Sequence, residues 1–268
     1  MQTQAFKNHI QALYRDISGS LTGFRNRYTQ RLFIAEIVKT LTNSQHVEKL
    51  LVVEGPTGTG KTLAYLIACI PSAKELNKKL VLSTATVALQ TQLLEKDIPL
   101  VTHSNLVDVK ISLAKGRRRY LCPSLLEQHL MGDSGQADAF ATQDYLQKTF
   151  SELRLAFITG EWQGDKDSWH QSISDDIWQK ISNDRHGCLA AKCGHFKECP
   201  YFKARQELEE ADVIIANHDL LLSDLSLGGG VLLPPPAETI YVIDEAHHLP
   251  DKTINHAGNW ASLNGTLA

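Results

Sequence analysis

A chain of 268 residues, 43% of them hydrophobic, can bury a sizeable core, which excludes a disordered or fibrous protein. Its 27 basic and 30 acidic residues leave a formal net charge of −3, so any nucleic-acid surface must be local rather than global. The first residues lack the unbroken apolar core of a signal peptide, and no apolar run is long enough to span a membrane; the expectation is a soluble cytoplasmic protein without a membrane partner.

Residues 1–45 read as helical, with a loop around Gly19–Gly23. Leu50–Val53 is a short apolar run ending in Glu54-Gly55, which predicts a buried strand feeding a loop. Lys61–Ile70 reads as the next helix, Leu80–Thr84 as a second strand, Val87–Leu94 as a helix and Val109–Leu113 as a third strand. The alternation then lapses from Gly116 to Pro200, a mixed segment with Trp162, Trp169 and Trp178 that reads as an insertion. A short helix, Phe202–Glu210, leads back to a strand at Val213–Ala216. A Gly/Pro-rich loop, Gly228–Pro236, precedes the last strand, Ile240–Ile243. Strands alternating with helices predict an α/β fold with a mostly parallel sheet.

Gly55-Pro56-Thr57-Gly58-Thr59-Gly60-Lys61-Thr62 fits the phosphate-loop pattern G-x-x-x-x-G-K-S/T between a predicted strand and a predicted helix. Glycines let backbone N–H groups wrap phosphate oxygens without Cβ clashes, and the following helix points its positive end at the same anion. Lys61 supplies a point charge to the β- and γ-phosphates, and Thr62 offers its hydroxyl to Mg²⁺. Downstream, Ile240–Ile243 runs into Asp244-Glu245, carrying two carboxylates to the C-terminal edge of the sheet, where ligands sit in open α/β folds. Asp244 is expected to hold Mg²⁺ through water, and Glu245 to polarise the water that attacks the γ-phosphate.

Five cysteines in a chain read as cytosolic argue against a disulfide framework. Cys188-x₄-Cys193-x₅-Cys199 and the upstream Cys122 make a four-thiolate set for a tetrahedral zinc or a 4Fe–4S cluster. Gaps wider than a C-x₂-C knuckle favour the cluster, while spacing alone leaves both open. Cys69, amid Leu66, Ile67 and Ile70, reads as a core residue. His186 and His195 read as solvated or hydrogen-bonded rather than as ligands. Arg117-Arg118-Arg119-Tyr120 is the most basic spot, suited either to a single-strand backbone with a stacked base or to a plain solvated turn.

Taken in order, these motifs resemble the DinG-type helicases, relatives of the XPD-like iron–sulfur helicases of superfamily 2, across essentially the whole chain. Phe24-Arg25-Asn26-Arg27-Tyr28-Thr29-Gln30 is similar to the family's Q motif, in which Gln30 would read the adenine edge. Leu82–Gln90 resembles motif Ia, which places Thr84 and Gln90 toward DNA. Gly116–Cys122 is similar to the segment opening the cluster domain, which turns Arg117, Arg119 and Tyr120 toward a DNA path, and Ala216–Leu220 matches the return strand. Asp244-Glu245-Ala246-His247 matches the DEAH box.

The resemblance implies ATP, Mg²⁺, a 4Fe–4S cluster held by Cys122, Cys188, Cys193 and Cys199, and 5′-to-3′ movement on single-stranded DNA. It also implies an interrupted RecA-like domain: residues 1–115 with the Q motif, phosphate loop and motif Ia, a cluster insertion at 116–206, and the return with the DEAH box at 207–268. Motif III and a second motor domain are not in this sequence, so the chain alone is expected to bind ATP yet hydrolyse little of it. Expected partners are single-stranded DNA and DNA with 5′ single-stranded tails, and the expected state is a monomer. Two other readings stand beside this one: a redox-sensing module that binds DNA and ATP without turnover, and a phosphate-loop ATPase with a zinc-stabilised insertion.

Overall fold

The computed structural model describes residues 4–43, 49–56, 58–132 and 140–258, with backbone only for 140–144. The chain divides into two units, residues 1–114 with 210–268, and residues 115–209.

The first unit opens with helices α1 (Gln4–Ser20), α2 (Tyr28–Thr42) and α3 (Lys61–Glu75), strand β1 (Lys79–Thr84), helix α4 (Val87–Gln92), helix α5 (Ile98–Thr102) and strand β2 (Ile111–Leu113). A π-helical turn, Leu93–Asp97, joins α4 to α5 without a break. The second unit carries α6 (Pro123–Leu130), α7 (Phe140–Thr159), α8 (Asp175–Ile181) and α9 (Pro200–Glu210). The first unit then resumes with β3 (Val213–Asn217), α10 (His218–Ser226), β4 (Thr239–Ile243) and α11 (Leu249–Ala257).

The four strands form one parallel sheet in the order β2-β3-β1-β4. The middle of β1, Leu80, Val81 and Leu82, is apolar and all but fully buried, as befits a central strand covered on both faces. The register sets Thr84 opposite Asn217 and Ser83 opposite Ile243, so motif-bearing residues gather at the C-terminal edge of the sheet. Leu13 and Ile17 of α1 and Leu66, Ile67 and Ile70 of α3 join Leu80 and Leu82 in the core. Cys69 lies in that core, and burial pushes its thiol up to about 12.

One predicted strand is absent among the described residues. Leu50–Val53 pairs with no strand, and Leu50 and Val52 are each 85% exposed. A strand exists through its ladder. Here the segment and β4 line the same cavity of about 610 Å³ instead of bonding to each other, and its apolar run stays exposed. The mixed segment beyond Gly116 is largely helical. Its core gathers Leu121, Leu126, Phe150, Leu153, Trp162, Trp178 and Ile181. Trp162 sits edge-on to Trp169 and Trp178 at 5.0 and 6.2 Å and donates its indole N–H to the Asp165 carbonyl. The three tryptophans are thus the packing of the insertion.

Candidate functional site

The phosphate loop ends at Gly60, the N-cap of α3, with φ +78°. That conformation favours glycine, and a Cβ there would lie 2.4 Å from the Gln30 amide nitrogen. Lys61 Nζ donates to the Gly55 carbonyl at 2.8 Å, and Thr59 Oγ1 donates to the Pro56 carbonyl at 2.8 Å, closing the loop on itself. Thr57 lies outside the described residues.

Gln30, expected at the adenine edge, is buried under this loop. Its Nε2 donates to the Gly60 carbonyl at 3.1 Å, and its Oε1 accepts from the Tyr14 hydroxyl at 3.3 Å. Each end of the amide is engaged once, which fixes its orientation and leaves one N–H and one lone pair of the oxygen for a further partner. Tyr14 also donates toward Asn26 at 3.3 Å, which ties α1 to the start of α2.

Asp244 follows the last residue of β4. Its N–H donates to the Ser83 carbonyl at 2.9 Å, and its Oδ1 accepts from the Glu245 N–H at 3.0 Å. Glu245 sits at φ +53°, a strained region for a residue with a Cβ, and strain of that kind concentrates at functional positions. Its Oε2 lies 3.3 Å from His247 Nδ1. Gly55, Lys61, Asp244 and Glu245 all line the cavity of about 610 Å³, which brings the loop and the acidic pair to one space.

Tyr65 enters the same cavity and was not singled out by sequence reasoning. Its hydroxyl donates to Asp244 Oδ2 at 3.1 Å. Burial above all, then the Asp244 charge, raises its ionisation far beyond the ordinary phenol range, so the proton stays on the oxygen. Asp97, in the π-helical turn, is likewise raised, first by burial and in part by Asp244. The signal for Tyr65 is its place three residues after Thr62 on a helix, which puts both on one face.

The residues expected at DNA are placed less openly. Thr84 and Gln90 are buried, Thr84 donating to the Thr86 carbonyl at 3.2 Å. Tyr120 corrects the sequence reading. It is buried, and its ring meets Tyr201 edge-on at 5.9 Å, so it presents no open face to a base. Arg117 lies over the Tyr201 ring at 4.0 Å, and Arg119 pairs with Asp167. Arg118, three-quarters exposed, pairs with Asp184 at 3.0 Å.

Cys122, Cys188, Cys193 and Cys199 line one cavity of about 100 Å³ in the second unit. Among the described residues, no three Cys, His, Asp or Glu side chains converge closely enough to hold a single metal ion. Asn183 Nδ2 approaches Cys122 Sγ at 3.9 Å, and the Ala190 N–H donates to Cys188 Sγ at 3.4 Å. Burial raises the Cys199 thiol, with smaller contributions from the sulfurs of Cys122 and Cys188. His195 is occupied by Glu198 at 2.5 Å and Glu127 at 3.4 Å.

Comparison with known proteins gives this geometry a context. Residues 29–154 match the DEAD/DEAH box helicase family and residues 173–262 match the DEAD_2 family. The chain is 44% identical over 263 residues to the ATP-dependent DNA helicase DinG of Photobacterium profundum, covering 97% of this chain and 38% of that protein. This chain is thus similar to the first part of the DinG-type helicases. It is also 39% identical over 257 residues to the ATP-dependent DNA helicase DinG of Escherichia coli, covering 93% of this chain and 35% of that one. It therefore spans little more than a third of the length of these relatives. A solved structure named XPD_Helicase aligns with 85% of this chain and 34% of its own, at 18% identity and TM-score 0.44. The family resemblance and the RecA-like α/β class read from the sequence both hold. No helix among the described residues is long and apolar enough to cross a membrane.

Proposed function

We propose that this chain is the ATP-binding motor portion of an ATP-dependent DNA helicase that moves 5′-to-3′ on single-stranded DNA. The observation that carries the reading is the single cavity bounded by Gly55, Lys61, Asp244 and Glu245, in a chain similar to the DinG-type helicases. Thr62 and Asp244 offer hard oxygen donors, the set Mg²⁺ prefers, and the ion would neutralise charge between the β- and γ-phosphates. Lys61 exchanges the Gly55 carbonyl for phosphate oxygens. The backbone amides of the loop and the N-terminus of α3 orient the same group. Glu245 accepts the proton of the attacking water, and His247 steadies its carboxylate.

The test is calorimetry of ATP with Mg²⁺, paired with phosphate release with and without single-stranded DNA. Glu245→Gln is expected to keep ATP affinity and to lower whatever hydrolysis the wild type shows by roughly 10²–10⁴-fold, the worth of a general base. A wild-type chain that binds no ATP would sink the reading.

Arg117 and Arg119 are the candidates for the DNA backbone, with Tyr120 supporting them from beneath rather than stacking on a base. Thr84 and Gln90 shape the motif Ia turn behind the contact surface. The expected ligands are single strands and duplexes with 5′ single-stranded tails, recognised without sequence preference.

Cys122, Cys188, Cys193 and Cys199 would hold a 4Fe–4S cluster that staples the insertion together. Zinc would need all four sulfurs about 2.3 Å from one centre, whereas a cluster gives each thiolate its own iron. Four thiols spread around a cavity of about 100 Å³ suit the second. Each of these four Cys→Ser variants is expected to lose iron and visible absorbance after anaerobic purification, while Cys69→Ser keeps both. Stoichiometric zinc without iron in the wild type would overturn the assignment.

A further inference from the structure

The Asp244 carboxylate is gripped from two directions. Oδ1 accepts from the Glu245 N–H at 3.0 Å, and Oδ2 accepts from the Tyr65 hydroxyl at 3.1 Å. The carboxylate plane is set once both oxygens are bonded. The backbone beneath it is fixed as well, through the Asp244 N–H on the Ser83 carbonyl at 2.9 Å. Tyr65 is 5% exposed, anchored in the core of α3 beside Leu66 and Ile67. Its hydroxyl also interacts with the Thr62 side chain one turn earlier. One buried phenol therefore links the Asp244 carboxylate to the Thr62 side chain, the two oxygen donors assigned to Mg²⁺ above.

We propose that Tyr65 is a positioning residue for Mg²⁺, holding the Asp244 carboxylate in register with the Thr62 hydroxyl before nucleotide arrives. The inference rests on the ATP reading above and adds a residue that this reading does not need. Two effects oppose each other. A hydrogen bond donated to the carboxylate draws off some of its charge and weakens its pull on a cation. Fixing its orientation removes the cost of ordering it when the cation arrives. Residues that orient ligands in this way typically cost 10- to 100-fold in metal affinity when lost, so orientation wins.

Tyr65→Phe removes the hydroxyl and keeps the buried ring, so the core of α3 is preserved, as circular dichroism would verify. The probe is a fluorescent ADP, titrated onto the chain with Mg²⁺ and again in EDTA. The Mg²⁺ concentration at half-saturation is expected to rise roughly tenfold in Tyr65→Phe. Affinity in EDTA is expected to match the wild type, and excess Mg²⁺ to restore full binding. An unchanged Mg²⁺ requirement overturns the proposal. An equal loss with and without Mg²⁺ also overturns it, because general damage to the pocket would then suffice. A wild type that binds no ADP in either condition removes the ATP reading and this inference with it. That outcome is distinct from a wild type that binds and a variant with the same Mg²⁺ dependence.

Discussion

Lys61→Ala is expected to weaken ATP binding by about 2–5 kcal/mol, the usual cost of removing one partner of a desolvated charge pair, which is roughly thirtyfold to several thousandfold in Kd. Lys61 is the first residue of α3 and its ammonium reaches back over the loop to the Gly55 carbonyl at 2.8 Å. In that position it is a fixed cation at the mouth of a loop whose other contributions are neutral amides. The loop and the helix N-terminus still attract phosphate in the variant, so some affinity survives. Alanine is the best helix former at this position, and the lost contact is a partly exposed one, so folding stability should change by no more than about 1 kcal/mol. Calorimetry of ATP with Mg²⁺ reads the first quantity and thermal unfolding the second. Equal Kd values in wild type and variant would remove Lys61 from the site.

The parts of this molecule that are legible in the sequence are those whose signal is local. The parallel strands β1, β3 and β4 are apolar runs bounded by polar turns, and each sits within a residue or two of its expected position. The phosphate loop is a fixed spacing of glycines, and a spacing does not depend on distant partners. Leu50–Val53 shows the limit of that reasoning. Its apolar run is as strand-like as the others, but a strand is made by its neighbour, and the neighbour is not specified by the run itself.

Residues whose role depends on a distant partner are the ones the sequence conceals. Tyr120 beside three arginines looks like a base-stacking residue until Tyr201, far along the chain, covers it. Gln30 reads as an adenine contact from its motif, and its bond to the loop glycine 30 residues later is not visible there. Tyr65 and Asp244 are 179 positions apart, and no periodicity links them. In each case a polar or aromatic side chain was ambiguous between surface chemistry and burial, and only the packing decided.

Asp224 is the extreme of that class, and its removal is expected to cost the largest share of stability. It lies in α10 with a side chain fully buried and accepts from four backbone donors in the loop that follows. Gly230 donates to Oδ2 at 3.0 Å, and Val231, Leu232 and Leu233 donate to Oδ1 at 2.9, 2.5 and 3.2 Å. A buried carboxylate is tolerated only where donors of this kind surround it. The left-handed glycines at 228, 229 and 230 fold the loop back far enough to aim those N–H groups inward. Asp224→Ala removes the acceptor of four donors at once, and a stranded buried donor costs about 1–3 kcal/mol. Water reaches the more exposed part of this loop, at Val231, and offsets some of that cost. The net loss expected is about 3–4 kcal/mol, read as a lower midpoint in denaturant unfolding at constant slope. Asp224→Asn should lose about half as much, because one oxygen can keep the three donors now on Oδ1 while the new amide opposes the Gly230 N–H. The loop feeds β4, whose end carries Asp244, so a loosened loop should also weaken Mg²⁺-dependent nucleotide binding in the alanine variant. An Asp224→Ala protein within about 0.5 kcal/mol of wild type, the usual scatter of surface substitutions, would show that the loop holds its shape without the carboxylate.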